Sequence, residues 1–181
     1  MNEAYIYNDN RMRGFTYSGY NLIEEVNSLF PQKVIDVGCG ENLFKGQIHN
    51  LIGFDVDAYP NSDMQVSIND AVFEKESVDI ALCLGSIQYR NKPVENQFYN
   101  IEKIVSWIKP GGFIVVRMQP FLDYVGHNED HISRFGIKHR INYKTFYEWT
   151  SKLNLTVYKP IVLDINKNFP TVERLVWWWK K

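Results

Sequence analysis

The sequence predicts one α/β domain on a seven-stranded sheet, parallel through its early strands and antiparallel at its end. Three observations support this. Short apolar runs alternate with amphipathic stretches, as when strands and helices take turns along a chain. The run Val34-Ile35-Asp36-Val37 passes directly into Gly38-Cys39-Gly40, a turn almost without side chains. The last two apolar runs are joined by a loop with no helical period, so they should pair antiparallel, because a parallel crossover needs a longer connection. At 181 residues, 45% hydrophobic and 15% aromatic, the chain can bury one core, and residues 1–181 are expected to form a single domain.

Residues 19–30 (GYNLIEEVNSLF) put Leu22, Ile23, Val26, Leu29 and Phe30 on one stripe of a helix that Pro31 ends. Strands are expected at 33–37, 51–55, 64–68 and 78–84. A helix over 94–108 follows, with Phe98, Ile101, Ile104, Val105 and Ile108 as its apolar face; Lys109-Pro110-Gly111-Gly112 breaks it before a strand at 113–117. Residues 118–141 are polar and aperiodic, 143–153 resume a helix, and 155–158 and 172–178 read as the final strands. In the last of these, Trp177 and Trp179 face one side and Trp178 the other. One side is expected in the core, the other as an exposed aromatic open to a partner. The connection 56–63 has eight residues and contains Pro60-Asn61-Ser62, so a reduced turn is expected where a crossover helix normally sits.

Net charge is −1, which supplies no global attraction to nucleic acid or anionic membrane. Residues 1–90 carry a net −7 and residues 91–181 a net +6. That asymmetry fits either a basic acceptor surface or a solvated face whose charges cancel across the fold. No apolar run approaches the roughly 20 residues that span a bilayer. Met1 to Asn10 is polar, with Glu3 and Asp9, unlike a signal peptide. Cys39 and Cys83 are too few for a disulfide scaffold. A soluble cytoplasmic protein with no membrane contact is expected.

The chemistry gathers at the ends of successive strands. Gly38 and Gly40 let the backbone turn tightly and approach a ligand closely, at the sheet edge where doubly wound folds bind ligands. Asp55 ends the second strand, 17 residues after Gly38, where a carboxylate can accept both hydroxyls of a ribose. Asn69-Asp70-Ala71 follows the third strand, where a carboxylate can take a hydrogen bond from an exocyclic amine. Singly, each has a bland reading as a tight turn, a cap or an Asx turn. A nicotinamide site is excluded: its G-x-G-x-x-G fingerprint needs glycine or alanine where this chain has Leu43.

In this order the segments Asp36-Val37-Gly38-Cys39-Gly40, Gly53-Phe54-Asp55, Asn69-Asp70-Ala71, Val78-Asp79-Ile80-Ala81-Leu82 and Lys109-Pro110-Gly111-Gly112 resemble the class I S-adenosylmethionine-dependent methyltransferases. The chain also looks like compact methyltransferase-like proteins of bacteriophage genomes. The resemblance implies a Rossmann-like methyltransferase sheet, mostly parallel with an antiparallel C-terminal strand, that binds S-adenosylmethionine. It implies that Gly38 and Gly40 hold the methionine portion and that Asp36 supports the loop or the amino group. Asp55 would bind the ribose, Val56 would pack on adenine, and Asp70 and Ala71 would meet the adenine edge. Leu84 and Gly85 would border the methionyl group. Asn42 departs from the pattern, standing where the family usually has glycine; asparagine tolerates a left-handed backbone best among the others, yet it could tighten the pocket.

Methyl transfer from a sulfonium is an in-line displacement in which orientation alone is worth roughly 7–11 kcal/mol. After the fourth strand the chain reads Leu84-Gly85-Ser86-Ile87-Gln88-Tyr89, without the Asp/Asn-Pro-Pro-aromatic stretch of the base amino-methyltransferases, and neither cysteine follows a proline. A small-molecule, glycan or lipid-like acceptor is therefore expected, rather than a DNA base. Within 118–141, the segment expected to shape the acceptor pocket, His127 and His131 flank Glu129 and Asp130 and are candidates for a general base. Helical spacing would also allow a metal there, but surface histidines in a polar loop are the preferred reading and no metal is expected. Arg134, Lys138, His139 and Arg140 form a basic cluster, and Arg117 ends the fifth strand near the cleft mouth. Arg11, Arg13, Tyr17 and Tyr20 precede the first helix as a candidate flap. The rival reading is a catalytically inactive descendant used as an assembly or interaction module. Asn42 and the short 56–63 connection favour it; Asp55 and Asp70 oppose it.

Overall fold

The computed structural model describes residues 21–87, 94–118, 143–165 and 173–181. Its elements in chain order are α1 (Asn21–Ser28), β1 (Val34–Val37), β2 (Leu51–Asp55), β3 (Met64–Gln65), β4 (Val78–Leu84), α2 (Val94–Trp107), β5 (Ile108–Met118), α3 (Tyr143–Lys152), β6 (Thr156–Ile165) and β7 (Glu173–Lys180). The seven strands form one sheet in the order β3-β2-β1-β4-β5-β7-β6. Strands β1 to β5 pair parallel, and β7 runs antiparallel to both β5 and β6. The chain steps from β1 outward to β2 on one side, and from β4 outward to β5 on the other. The carboxyl ends of β1 and β4 therefore flank the switch point where such sheets open a crevice.

Period-two alternation divides the strands between two cores. Ile35, Val37, Ala81, Cys83, Ile114, Val116, Trp177 and Trp179 face α2 and α3, meeting Ile101, Ile104 and Trp149. Val34, Ile80, Leu82, Val115, Val176 and Trp178 face α1, meeting Leu22 and Val26, with Phe44 and Ile48 of the β1–β2 connection. Trp177 and Trp178 lie on opposite faces, as the alternation requires. The expected exposed aromatic is absent, however: Trp178 is only 2% exposed. Lys159 lies across its ring, 5.2 Å from the centroid, and pairs with Glu25 of α1, while Phe113 packs edge-on at 5.8 Å. The ammonium over the indole is held by the π-face as well as by the Glu25 carboxylate.

Three elements differ in extent from expectation. β3 ends at Gln65 rather than residue 68 because the Asp70 and Ala71 amides both turn back to the Ser67 carbonyl (3.1 and 2.8 Å). β5 begins at Ile108, so the Lys109-Pro110-Gly111-Gly112 stretch is a bulge inside a strand. Val78 pairs with Ile108 and Ile80 with Phe113, and the extra residues loop out between them. Gly111 takes φ of 83°, and a Cβ on Gly112 would stand 2.7 Å from the Asp79 carbonyl, so both positions need glycine. Lys181 closes the bulge, donating to the Gly112 carbonyl (3.0 Å) and accepting from the Gly111 amide (2.7 Å). β6 runs on through Pro160 to Ile165, which an outermost strand tolerates, with one register shift before the proline and one across it.

The 56–63 connection carries no helix, as expected, and turns instead through Tyr59–Ser62, where the Ser62 amide donates to the Tyr59 carbonyl (3.1 Å). At the amino edge of the sheet the Asp79 carboxylate accepts from the Gln32 and Lys33 amides and from Lys109 (2.9, 2.7 and 2.7 Å). Partial burial alone would raise its pKa, but these donors hold it below the ordinary carboxylate value. No helix among the described residues is long and apolar enough to cross a membrane.

Candidate active site

The loops that follow β1, β2 and β4 meet at the carboxyl edge of the sheet, and the candidate site is built from them. As β1 ends, the Gly38 and Cys39 amides both donate to the Phe54 carbonyl of β2 (2.9 and 3.0 Å). This holds the glycine turn against the neighbouring strand. Gly38 has φ of 69°, and a Cβ there would lie 2.4 Å from Cβ of Ser86, so the β1 and β4 loops touch where no side chain fits on Gly38. Among the described residues nothing lies within 4 Å of where a Cβ on Gly40 (φ 52°) or Gly85 (φ 108°) would stand. Ser86 Oγ is buried and has no hydrogen-bond partner among the described residues. A buried hydroxyl beside a turn without side chains can serve as a donor or acceptor to a polar ligand.

Asp55 stands at the end of β2 with both oxygens engaged: Oδ2 accepts from the Gly40 amide (2.9 Å) and Oδ1 from the Asp57 amide (3.0 Å). Each oxygen keeps a lone pair for a further donor. Beyond it the Val56 side chain is 52% exposed, an apolar surface without a cover among the described residues. Tyr59 lies close enough to Asp55, Asp57 and Glu41 that burial, and then these negative charges, raise its phenol above the usual value.

Asp36 sits one step inside β1, in register with Gly53 of β2 and Leu82 of β4, and is only 3% exposed. Burial first, and the Asp55 charge second, push its carboxyl up to about 7. Because the folded state holds this proton more tightly than the unfolded chain, its stabilising contribution is full below pH 3.8 and is lost as pH rises through about 7. Chemical denaturation of wild type against Asp36→Asn is expected to show wild type losing stability relative to the variant across that window, by an amount on the order of a few kcal/mol. Parallel curves would mean that Asp36 is ionised in the folded protein throughout. Cys39, between the glycines, is pushed up to about 11 by burial, despite the Ser62 hydroxyl, and stays a thiol at neutral pH.

Of the residues predicted from sequence, the structure joins Asp36, Gly38, Gly40 and Asp55 into one cluster, and Leu84 and Gly85 reach it through Ser86. Asp70 and Ala71 lie one strand further out. The Asp70 carboxylate accepts from the Ser67 hydroxyl (2.6 Å) in an exposed turn, and Ala71 is buried; no hydrogen bond among the described residues ties either to Asp55. Arg11, Arg13, Tyr17, Tyr20, the Arg117 side chain, His127, Glu129, Asp130, His131, Arg134, Lys138, His139 and Arg140 lie outside the described residues.

Sequence reasoning missed Ser86, Tyr59 and the function of Asn42. The Asn42 side chain does not enter the crevice. It is 2% exposed and turns toward β2, donating to the Asn61 carbonyl (2.8 Å) and the Asp63 carboxylate (3.2 Å). Nothing local in the sequence announces this, since its partners belong to another loop.

The family model for tellurite resistance protein TehB matches residues 3–110. No curated protein matches the chain. Among solved structures the chain is similar to a 1,6-didemethyltoxoflavin-N1-methyltransferase of Burkholderia thailandensis, with 1,6-didemethyltoxoflavin and S-adenosylhomocysteine bound (TM-score 0.69, 13% identity, 95% of this chain and 81% of that one). It is similar to an S-adenosylmethionine-dependent methyltransferase of Thermotoga maritima (TM-score 0.67, 12% identity, 95% and 93%). It is also similar to the [4+2]-cyclase SpnF (TM-score 0.64, 12% identity, 89% and 80%). At these identities the likeness is one of fold, and a fold can host more than one chemistry.

Proposed function

Because this chain belongs to the TehB family, a family of S-adenosylmethionine-dependent methyltransferases, we propose that it delivers the methyl group to a small-molecule acceptor at the carboxyl edge of its sheet. The observation that carries this reading is the grouping at the switch point: among the described residues Gly40 and Gly85 face open space, beside an Asp55 carboxylate whose oxygens each keep a lone pair and a buried Ser86 hydroxyl without a partner. These residues fit the cofactor.

In this reading the Gly38 and Gly40 backbone holds the methionine portion, and Asp36 lies beneath its ammonium. Asp55 offers its free lone pairs to the ribose hydroxyls. Val56 covers one face of adenine, with Asp70 and Ala71 toward its edge, and Leu84 and Gly85 border the methionyl chain. When bound, S-adenosylmethionine supplies a methyl group on a sulfonium, already electrophilic. The chain's own contribution is then alignment and exclusion of water. A small acceptor is supported by the similar Burkholderia structure, a 1,6-didemethyltoxoflavin-N1-methyltransferase with 1,6-didemethyltoxoflavin bound. The lack of an Asp/Asn-Pro-Pro-aromatic stretch after β4 argues against DNA bases.

Calorimetry with S-adenosylmethionine and S-adenosylhomocysteine is expected to show micromolar binding of both. Labelled methyl should then pass to a member of a panel of amines, heteroaromatic N–H compounds, phenols, thiols and tellurite. Label appearing only on DNA or RNA would overturn the small-acceptor reading. No heat with either cofactor form at millimolar concentration would favour a non-catalytic module instead.

A further inference from the structure

We propose that Asn42 is a positioning residue that locks the glycine loop to the β2–β3 connection, so that the two halves of the cofactor site form one rigid unit. The inference rests on the cofactor reading above. Asn42 has φ of 50°, the left-handed conformation that favours glycine. Its backbone completes the turn, the amide donating to the Cys39 carbonyl (2.9 Å) and the carbonyl accepting from the Lys45 amide (3.0 Å). The side chain adds what glycine cannot. Its amide nitrogen reaches across to the Asn61 carbonyl and the Asp63 carboxylate at the far end of the connection that carries Val56 and Tyr59.

Asp63 in turn accepts from the Gly53 amide of β2 (2.9 Å) and pairs with Lys45 (2.5 Å), which also donates to the Asn61 carbonyl (3.3 Å). Gly53 is part of the same device: a Cβ there would lie 2.6 Å from the Asn42 carboxamide. The side chain is thus clamped between β2 and the connection, and the glycine loop cannot shift without breaking these bonds. With no helix between β2 and β3, this lock does the holding that a packed helix would otherwise do. One half of the site (Gly38, Gly40) would take the amino-acid tail, the other (Asp55, Val56) the nucleoside. A ligand that spans both gains affinity from their fixed separation, whereas a ligand of one half does not.

The test compares S-adenosylhomocysteine with 5′-methylthioadenosine, which keeps the nucleoside and lacks the amino-acid tail, by calorimetry. In Asn42→Gly, binding of S-adenosylhomocysteine should weaken about tenfold, the worth of a lost hydrogen bond, while binding of 5′-methylthioadenosine stays within about twofold of wild type. Equal weakening of both ligands would indicate general loosening and overturn the proposal, as would no change in either. If that variant does not fold, Asn42→Asp and the exchange Asn42→Asp with Asp63→Asn decide the matter. The single change sets a carboxylate against the Asp63 carboxylate and the Asn61 carbonyl. The exchange restores an amide–carboxylate pair, so it should recover S-adenosylhomocysteine binding relative to the single change. No recovery overturns the proposal. If wild type binds neither ligand, the cofactor reading itself has failed.

Discussion

Gly38→Ala is expected to reduce binding of S-adenosylhomocysteine at least a hundredfold, with the protein still folded. Two effects act together. Alanine at φ of 69° pays the left-handed penalty, about 1–2 kcal/mol. Its Cβ would also stand 2.4 Å from Cβ of Ser86, too close for any pair of carbons, so the β1 and β4 loops must separate. Separation breaks the paired amides of Gly38 and Cys39 on the Phe54 carbonyl and opens the crevice at its base. The hydrophobic cores lie below the loops, so near-native circular dichroism with lost calorimetric heat is the expected combination. Gly40→Ala meets no atom of the described residues within 4 Å and carries mainly the backbone penalty, so its effect on folding should be milder. Wild-type affinity in Gly38→Ala would place the cofactor away from this turn.

Asp55→Ala is expected to weaken the same ligand by about 1.5–3 kcal/mol, roughly tenfold to a hundredfold and more, the worth of hydrogen bonds to a charged acceptor. The carboxylate has two functions that the alanine removes at once. It accepts the Gly40 and Asp57 amides, shaping the loops, and its remaining lone pairs face the proposed ribose. Asp55→Asn separates them. It keeps one acceptor oxygen but turns an NH2 group toward an amide N–H, so it should fall between wild type and alanine. The change also removes the charge that, after burial, raises Asp36. The stability slope assigned to Asp36 should therefore move to lower pH in Asp55→Ala. Unchanged affinity in both variants would mean that the ribose lies elsewhere.

Much of the site was legible because it obeys local rules. A buried run ending in Gly38-Cys39-Gly40 is a strand passing into a tight turn in any context, and an aspartate closing the next strand stands beside that turn in a parallel sheet. The reduced 56–63 connection was legible from its length and its Pro60-Asn61-Ser62. Less could be read where one residue answers two demands. Lys109-Pro110-Gly111-Gly112 does end a helix, but its glycines also let β5 pass the Asp79 carbonyl, so the expected break is a bulge within a strand. The alternation set Trp178 opposite Trp177 and Trp179 correctly, but the expectation that one of the two sides is exposed failed, since alternation gives direction and says nothing of what covers a face.

The sequence by itself determined the order of the elements, the glycine turn, the carboxylate at the end of β2 and the antiparallel close of the sheet. Period, turn chemistry and connection length act between near neighbours and are written into short stretches of chain. The tertiary structure alone decided that Asn42 points into the β2–β3 connection, that Ser86 fills the space above Gly38, that Gly53 makes room for a carboxamide, and that Lys159 and Glu25 roof Trp178. Each of these is a contact between residues distant in sequence, created only when the sheet brings separate loops within a few ångströms. Their energies depend on distance and burial, which no single stretch of chain contains.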